Sequence, residues 1–150
     1  MNEREGRVLA LDLGEARIGL ALSDPLGITA QPLGFLERVG PRKDLAAIEE
    51  LVREHGVATV VVGLPRLLSG SEGAKAAEAR EVAARLERRL APVSVELWDE
   101  RLTTVEAERT LVAGNVRRRR RRERVDSLAA ALILQGYLEA RTGRGGVCGE

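Results

Sequence analysis

The chain has 150 residues, of which 44% are hydrophobic and only 2% aromatic, and its formal net charge is +1. That length argues for one domain, residues 1–150, whose core must come from Leu, Val, Ile and Ala. The single Cys148 excludes an internal disulfide framework, and the longest apolar run, Val57 to Leu64, is far short of the ~20 residues a membrane-spanning helix needs. No signal-peptide pattern follows the charged stretch Met1 to Arg7, so the expectation is a soluble, cytoplasmic protein with no membrane partner.

In chain order, Val8 to Leu13 reads as a short buried strand carrying one charge, Asp12. Gly14-Glu15 makes a tight turn into a second strand, Ile18 to Ser23, so a hairpin is expected. Pro25 and Gly27 mark the next turn, and Thr29 to Leu36 is a third strand in which Pro32 calls for a sheet edge or a bulge. Pro41 opens a helix with Leu45, Ile48, Leu51 and Val52 as its apolar stripe, closed by His55-Gly56. Thr59 to Val62 has the composition of a central parallel strand. A loop with Gly63, Pro65, Gly70 and Gly73 leads to a long Ala-rich helix, Ala74 to Leu90.

Val93, Val95 and Leu97 then alternate with Ser94, Glu96 and Trp98, which predicts another strand. Thr103 and Glu106 fit a capping box, so a helix should start there and stop at Gly114-Asn115. A final helix is expected from about Val125 to Ala140, with a Gly-rich, flexible tail over about residues 143–150. Early hairpins followed by β–α–β crossovers imply an α/β fold with a mixed sheet covered by helices.

The small net charge hides an asymmetry. Residues 117–124 hold seven Arg and one Glu, a local +6, which leaves −5 for the rest of the chain. One basic strip on an acidic protein points to a polyanion, and the planar guanidinium fork suits phosphate.

Carboxylates occur where they are expensive. Asp12 lies inside an apolar strand, where an unpaired charge costs several kcal/mol and a divalent cation would remove that cost. The simpler alternative is that it stabilises the Gly14 turn. Asp99 and Glu100 follow the Trp98 strand; alternation sets Asp99 on the Val95/Leu97 face and Glu100 on the opposite one, and spacing alone does not choose between them. Asp126 begins the last helix on a face with Ala129, Ala130, Ile133 and Tyr137, where an ordinary N-cap is the competing reading. Oxygen donors of this kind suit Mg²⁺ or Mn²⁺, and two such ions about 4 Å apart can serve an in-line phosphoryl displacement. His55, at a helix end, is a poor catalytic candidate, and the chain has no zinc cluster, P-loop or GxGxxG.

Four short segments carry a resemblance. Leu9 to Gly14 with Arg17-Ile18-Gly19 and Ser23-Asp24 resembles the opening motif of the YqgF-type family, proteins described as pre-16S rRNA nucleases or Holliday-junction-resolvase-like. Val62 to Pro65 with Gly70 to Gly73, Asp99 to Thr104 with Glu106-Ala107, and Val125-Asp126-Ser127 with Ala129-Ala130 and Ile133-Leu134 resemble that family's later motifs, in order. The resemblance implies a ribonuclease H-like, five-stranded mixed sheet and phosphodiester hydrolysis. It also implies that the catalytic, metal-holding acids fall on Asp12, Glu100 and Asp126, with Asp99 as the alternative to Glu100. Arg66 to Ser69 departs from the family's usual polar Asn in the central loop, and an Arg run stands where Lys is common.

On this reading a two-metal nuclease processes the 5′ end of pre-16S rRNA in ribosomal particles or, alternatively, cuts branched DNA. Arg17, Arg101, Arg117, Arg118, Arg119, Arg120, Arg121, Arg122 and Arg124 are expected to hold the nucleic-acid backbone. The other readings are a non-catalytic module for RNA or ribosomes, which the Arg run alone would support, and an actin-like nucleotide switch, which needs two such lobes where 150 residues supply one. A monomer and a homodimer both fit; a dimer would suit a junction.

Overall fold

The computed structural model describes residues 6–65, 73–100 and 127–141. Seven elements run in the order β1 (Arg7–Leu13), β2 (Arg17–Ser23), β3 (Ala30–Glu37), α1 (Pro41–His55), β4 (Val57–Leu64), α2 (Ala74–Leu90) and β5 (Ser94–Asp99). An eighth, α3, is helical over 127–141. The five strands form one sheet in the order β3-β2-β1-β4-β5. β1 pairs antiparallel with β2, and β2 with β3; β4 then joins β1 in parallel and β5 joins β4 in parallel. The expected mixed sheet, three antiparallel strands followed by parallel ones, is present. The expected helix over 103–114, the Arg run and the tail from residue 143 lie outside the described residues.

The two faces of the sheet are built differently. Leu9, Leu11, Ile18, Leu20, Val60, Val62 and Leu64 pack under α1 and α2, against Leu45, Ile48, Ala79 and Leu86. The other face offers smaller groups, Val8, Ala10, Ala21 and Val61, and packs on Ala129, Ala130, Ile133, Leu134 and Tyr137 of α3. Period-two alternation along β1 sends Asp12 to the same side as Val8 and Ala10, the side of α3.

Local chemistry sets the boundaries. Gly14 closes the β1–β2 turn by donating its N–H to the Arg17 carbonyl at 2.8 Å, and a Cβ on Gly14 would stand 2.8 Å from that same oxygen. The Asp24 carboxylate accepts the N–H groups of Ile28 (2.6 Å) and Thr29 (3.0 Å), which folds the β2–β3 connection and draws its pKa below the ordinary value. Pro41 starts α1, and the Asp44 carboxylate accepts the N–H groups of Val39 and Gly40 at 2.9 and 3.4 Å ahead of it. Gly56, at φ 63°, ends the helix in the left-handed conformation.

Pro32 satisfies both of its sequence expectations. β3 is an edge strand, and the β2–β3 register shifts between Leu20, opposite Gly34, and Ala21, opposite Pro32. The Ser127 hydroxyl enters at this bulge. It donates to the Leu20 carbonyl (3.3 Å) and accepts the N–H of Gly34 (3.2 Å), tying α3 to β2 and β3.

At the other end of α3 the Tyr137 hydroxyl donates to Glu96 at 2.8 Å, its ring meets Trp98 edge-on at 6.0 Å, and the Arg141 guanidinium lies 5.8 Å above it. Burial first, and then the hydrogen bond to Glu96 and its charge, push the phenol up from 10.0 to about 12, against the opposing pull of Arg141.

Two measurements check this packing. Ser127→Ala removes the hydroxyl that bridges Leu20 and Gly34, and should cost about 1–3 kcal/mol in urea unfolding with an unchanged m value. Tyr137 is the chain's single tyrosine, so tyrosinate absorbance reports it alone. Its folded pKa is raised, so the unfolded chain ionises first; the tyrosine's contribution to stability is full below pH 10 and lost as pH rises towards about 12. Absorbance should therefore rise near pH 10 only in denaturant.

Candidate active site

β1 is the middle strand, and Asp12 stands near its C-terminal end at 4% exposure. Its cross-strand partner on β2 is Gly19. On the other side, β1 and β4 are in register at Leu11–Val62, so one step further along the pair Asp12 lies beside Gly63. Both strand neighbours of Asp12 are thus glycines, which place no side chain of their own beside its carboxylate.

Glu100 lies over one of these glycines. A Cβ placed on Gly63 would meet the Glu100 carboxylate, with Oε2 at 3.1 Å and Cδ at 3.4 Å, and Ile133 Cδ1 of α3 at 2.7 Å. Gly63 is thus the floor under both the Glu100 carboxylate and the Ile133 side chain. Asp99 pairs in register with Leu64, a residue of the core under α1 and α2. Alternation therefore gives Asp99 and Glu100 opposite faces, with Glu100 on the face of Asp12.

Asp126 lies outside the described residues. Its chain neighbour Ser127 is held to Leu20, and Leu20 follows Gly19, the partner of Asp12. Arg17 begins β2 with its guanidinium 4.8 Å from the centre of the Phe35 ring, on the hairpin that carries Asp12. Arg101, Arg117 to Arg122 and Arg124 lie outside the described residues, as do Arg66 to Ser69. Among the described residues no three His, Cys, Asp or Glu side chains form a metal-holding group, and no helix is long and apolar enough to cross a membrane.

The donor set still suits a hard divalent cation. Asp12 and Glu100 offer oxygen alone, and Asp12 is a carboxylate almost withdrawn from water. Sequence reasoning noticed Gly19 and Gly63 only as parts of motifs; their role as floor beneath two carboxylates needs the register of three strands. It missed Arg38 altogether, whose guanidinium donates to the Gly14 carbonyl at 2.7 Å, two residues from Asp12.

Comparison with known proteins agrees with this architecture. The family model described as "RuvX: Holliday junction resolvase" matches residues 6–140. A protein of Koribacter versatilis (strain Ellin345) named "Putative pre-16S rRNA nuclease" is 51% identical over 136 residues, spanning 91% of this chain and 88% of its own length. One of the same name from Moorella thermoacetica is 50% identical over 141 residues, spanning 94% of this chain and 99% of its own. Among solved structures, Thermus thermophilus RuvC in complex with a Holliday junction substrate superposes with a TM-score of 0.59 at 19% identity, covering 92% of this chain and 96% of that one. At that identity the likeness shows the fold, which is ribonuclease H-like. The match over residues 6–140 and the relatives at half identity make the chain a member of the RuvX family.

Proposed function

We propose that this protein is a divalent-metal-dependent endonuclease that hydrolyses phosphodiester bonds of structured RNA in processing the 5′ end of pre-16S rRNA. The observation that carries the chemistry is a pair of carboxylates on one face of the sheet: Asp12, buried between Gly19 and Gly63, with the Glu100 carboxylate above Gly63. Asp12, Glu100 and Asp126 would hold Mg²⁺ or Mn²⁺. When bound, such an ion polarises a phosphodiester and acidifies water.

The chain's own residues do the rest. The sheet and α3 fix the two described carboxylates, so little reorganisation is needed when substrate arrives. Ser127, anchored on Leu20, carries the chain from residue 126 onto the sheet beside the Asp12–Gly19 pair. Arg17, braced on Phe35, supports the nucleic-acid backbone, and the basic strip at Arg117 to Arg122 with Arg124 leads it towards Asp126.

The choice of RNA follows the names of the relatives at 50% and 51% identity, whereas the family description favours branched DNA. Side-by-side cleavage of precursor 16S rRNA and a four-way DNA junction, both in Mn²⁺, decides: faster cutting of the junction would overturn the RNA reading. Tight RNA binding without cleavage in any divalent ion would instead favour a non-catalytic module.

Asp12→Asn should lower the cleavage rate about 100-fold or more, equivalent to about 2.7 kcal/mol, while equal rates in wild type and variant would sink the acid assignment. Gly63→Ala should force Ile133 and the Glu100 carboxylate away from the sheet, costing about 1–3 kcal/mol of stability. Its cleavage rate should fall about tenfold or more as Glu100 is displaced. Affinity for RNA should drop with salt, and each Arg of the strip changed to Ala should flatten the log–log slope by about 0.7–0.9.

A further inference from the structure

The tip of the β1–β2 turn that follows Asp12 borders open space. A cleft of about 290 Å³ separates it from the start of α2, with Gly14 and Glu15 on one wall and Ala74 and Lys75 on the other. A second void of about 120 Å³ lies below, between Leu13 and Ile18 of the hairpin and Leu45, Ile48 and Val82 of the helices. Arg38 and Glu78 line both. Lys75 reaches Glu15 across the cleft at 3.7 Å, but both side chains are more than two-thirds exposed (69% and 87%), and such a pair contributes little.

Arg38 spans the gap. It sits in the connection between β3 and α1, and its backbone N–H donates to the Ala16 carbonyl at 2.9 Å. Its Nη1 donates to the Gly14 carbonyl at 2.7 Å and to Glu78 Oε1 at 3.2 Å, while Nη2 donates to Glu78 Oε2 at 3.1 Å. The Asp44 carboxylate lies 4.0 Å from Nε. With 22% of its side chain exposed, the guanidinium is sheltered enough for these charge-assisted bonds to fix its plane. One residue therefore grips the turn at two carbonyls and fastens it to α2, beyond the point where Leu13 and Ile18 enter the core.

We infer that Arg38 is a positioning residue: its bridge from the Gly14 carbonyl to Glu78 holds the β1–β2 turn, and with it Asp12 and Arg17, at the height the phosphodiesterase site requires. The inference rests on the nuclease reading. Arg38 touches neither substrate nor metal; it acts through the backbone of residues 14–17. A planar fork is needed because Gly14 and Glu78 are addressed together from one guanidinium, which a single ammonium does with poorer geometry.

The test compares wild type, Arg38→Met, Arg38→Lys and Glu78→Gln for cleavage in Mg²⁺, for Mg²⁺ affinity by titration calorimetry without nucleic acid, and for amide exchange over residues 14–17. Arg38→Met should lower kcat about tenfold or more, with KM within about twofold, because the reacting groups are misplaced while the binding surface persists. Its Mg²⁺ affinity should fall and amide exchange at residues 14–17 should quicken; Arg38→Lys should recover part of each, and Glu78→Gln should shift them the same way by less. A folded Arg38→Met protein with wild-type kcat, Mg²⁺ affinity and exchange overturns the inference. Should Arg38→Met fail to fold, Glu78→Gln decides, and wild-type values in all three readouts overturn it. Failure of the nuclease reading has a different signature: no cleavage by wild type, and equal Mg²⁺ binding by wild type and Asp12→Asn. Exchange over residues 14–17 in Arg38→Met then still tests the bridge, since unchanged exchange rejects it.

Discussion

A carboxylate held at 4% exposure in the middle strand of the sheet is the constraint around which the rest of this molecule is arranged. Burying a charge costs several kcal/mol unless something nearby compensates it. The space around that carboxylate is set by Gly19 across the antiparallel pair, Gly63 beside it in the parallel strand, and the Glu100 carboxylate over Gly63. A space bordered by acids in this way stays small and negative, which repels a phosphate but suits a small hard cation. The same space then becomes a place for phosphate once cation charge is present, which is why the proposed chemistry and the proposed metal stand or fall together.

The unequal faces of the sheet follow from that constraint. On the α1/α2 side Leu and Val are large, and the core there supplies bulk burial. On the α3 side Ala10, Ala21, Ala129 and Ala130 bring helix and sheet close, so that Ile133 reaches Gly63. A bulkier α3 face would lift the helix, and Ser127 with it, away from the end of the sheet where Asp12 lies. Small residues here are a distance setting, and they give up apolar contact to achieve it.

Much of this was legible in the sequence, for identifiable reasons. β1 and β4 are short apolar runs, β5 alternates, α1 carries an apolar stripe and α2 is Ala-rich; with Gly and Pro marking the turns, all five strands and both helices form within a residue or two of the expected limits. Pro32 announced the edge and the bulge because a missing N–H is a local fact. The place of Gly63 beside Asp12 was not legible, because a parallel partner separated by a helix has no spacing signature. Arg38 was invisible for a similar reason: one Arg in a Glu-Arg-Val-Gly connection looks like any solvated loop cation until Gly14 and Glu78 are known to flank it. The choice between Asp99 and Glu100 lay between these extremes. Alternation separated their faces, but which face mattered depended on where Asp12 pointed.

The two polar anchors, Arg38 on the turn and Ser127 on the bulge, add directional hydrogen bonds to the packing of the sheet between its helices. Both address backbone groups: Arg38 the carbonyls of Gly14 and Ala16, Ser127 the carbonyl of Leu20 and the amide of Gly34. Backbone anchoring fixes strand height and helix start directly, whereas a side-chain contact would fix only another side chain. Arg38 lies on the α1/α2 side and borders the two cavities there, so its hydrogen bonds hold the end of β1 from the side opposite the Asp12 carboxylate.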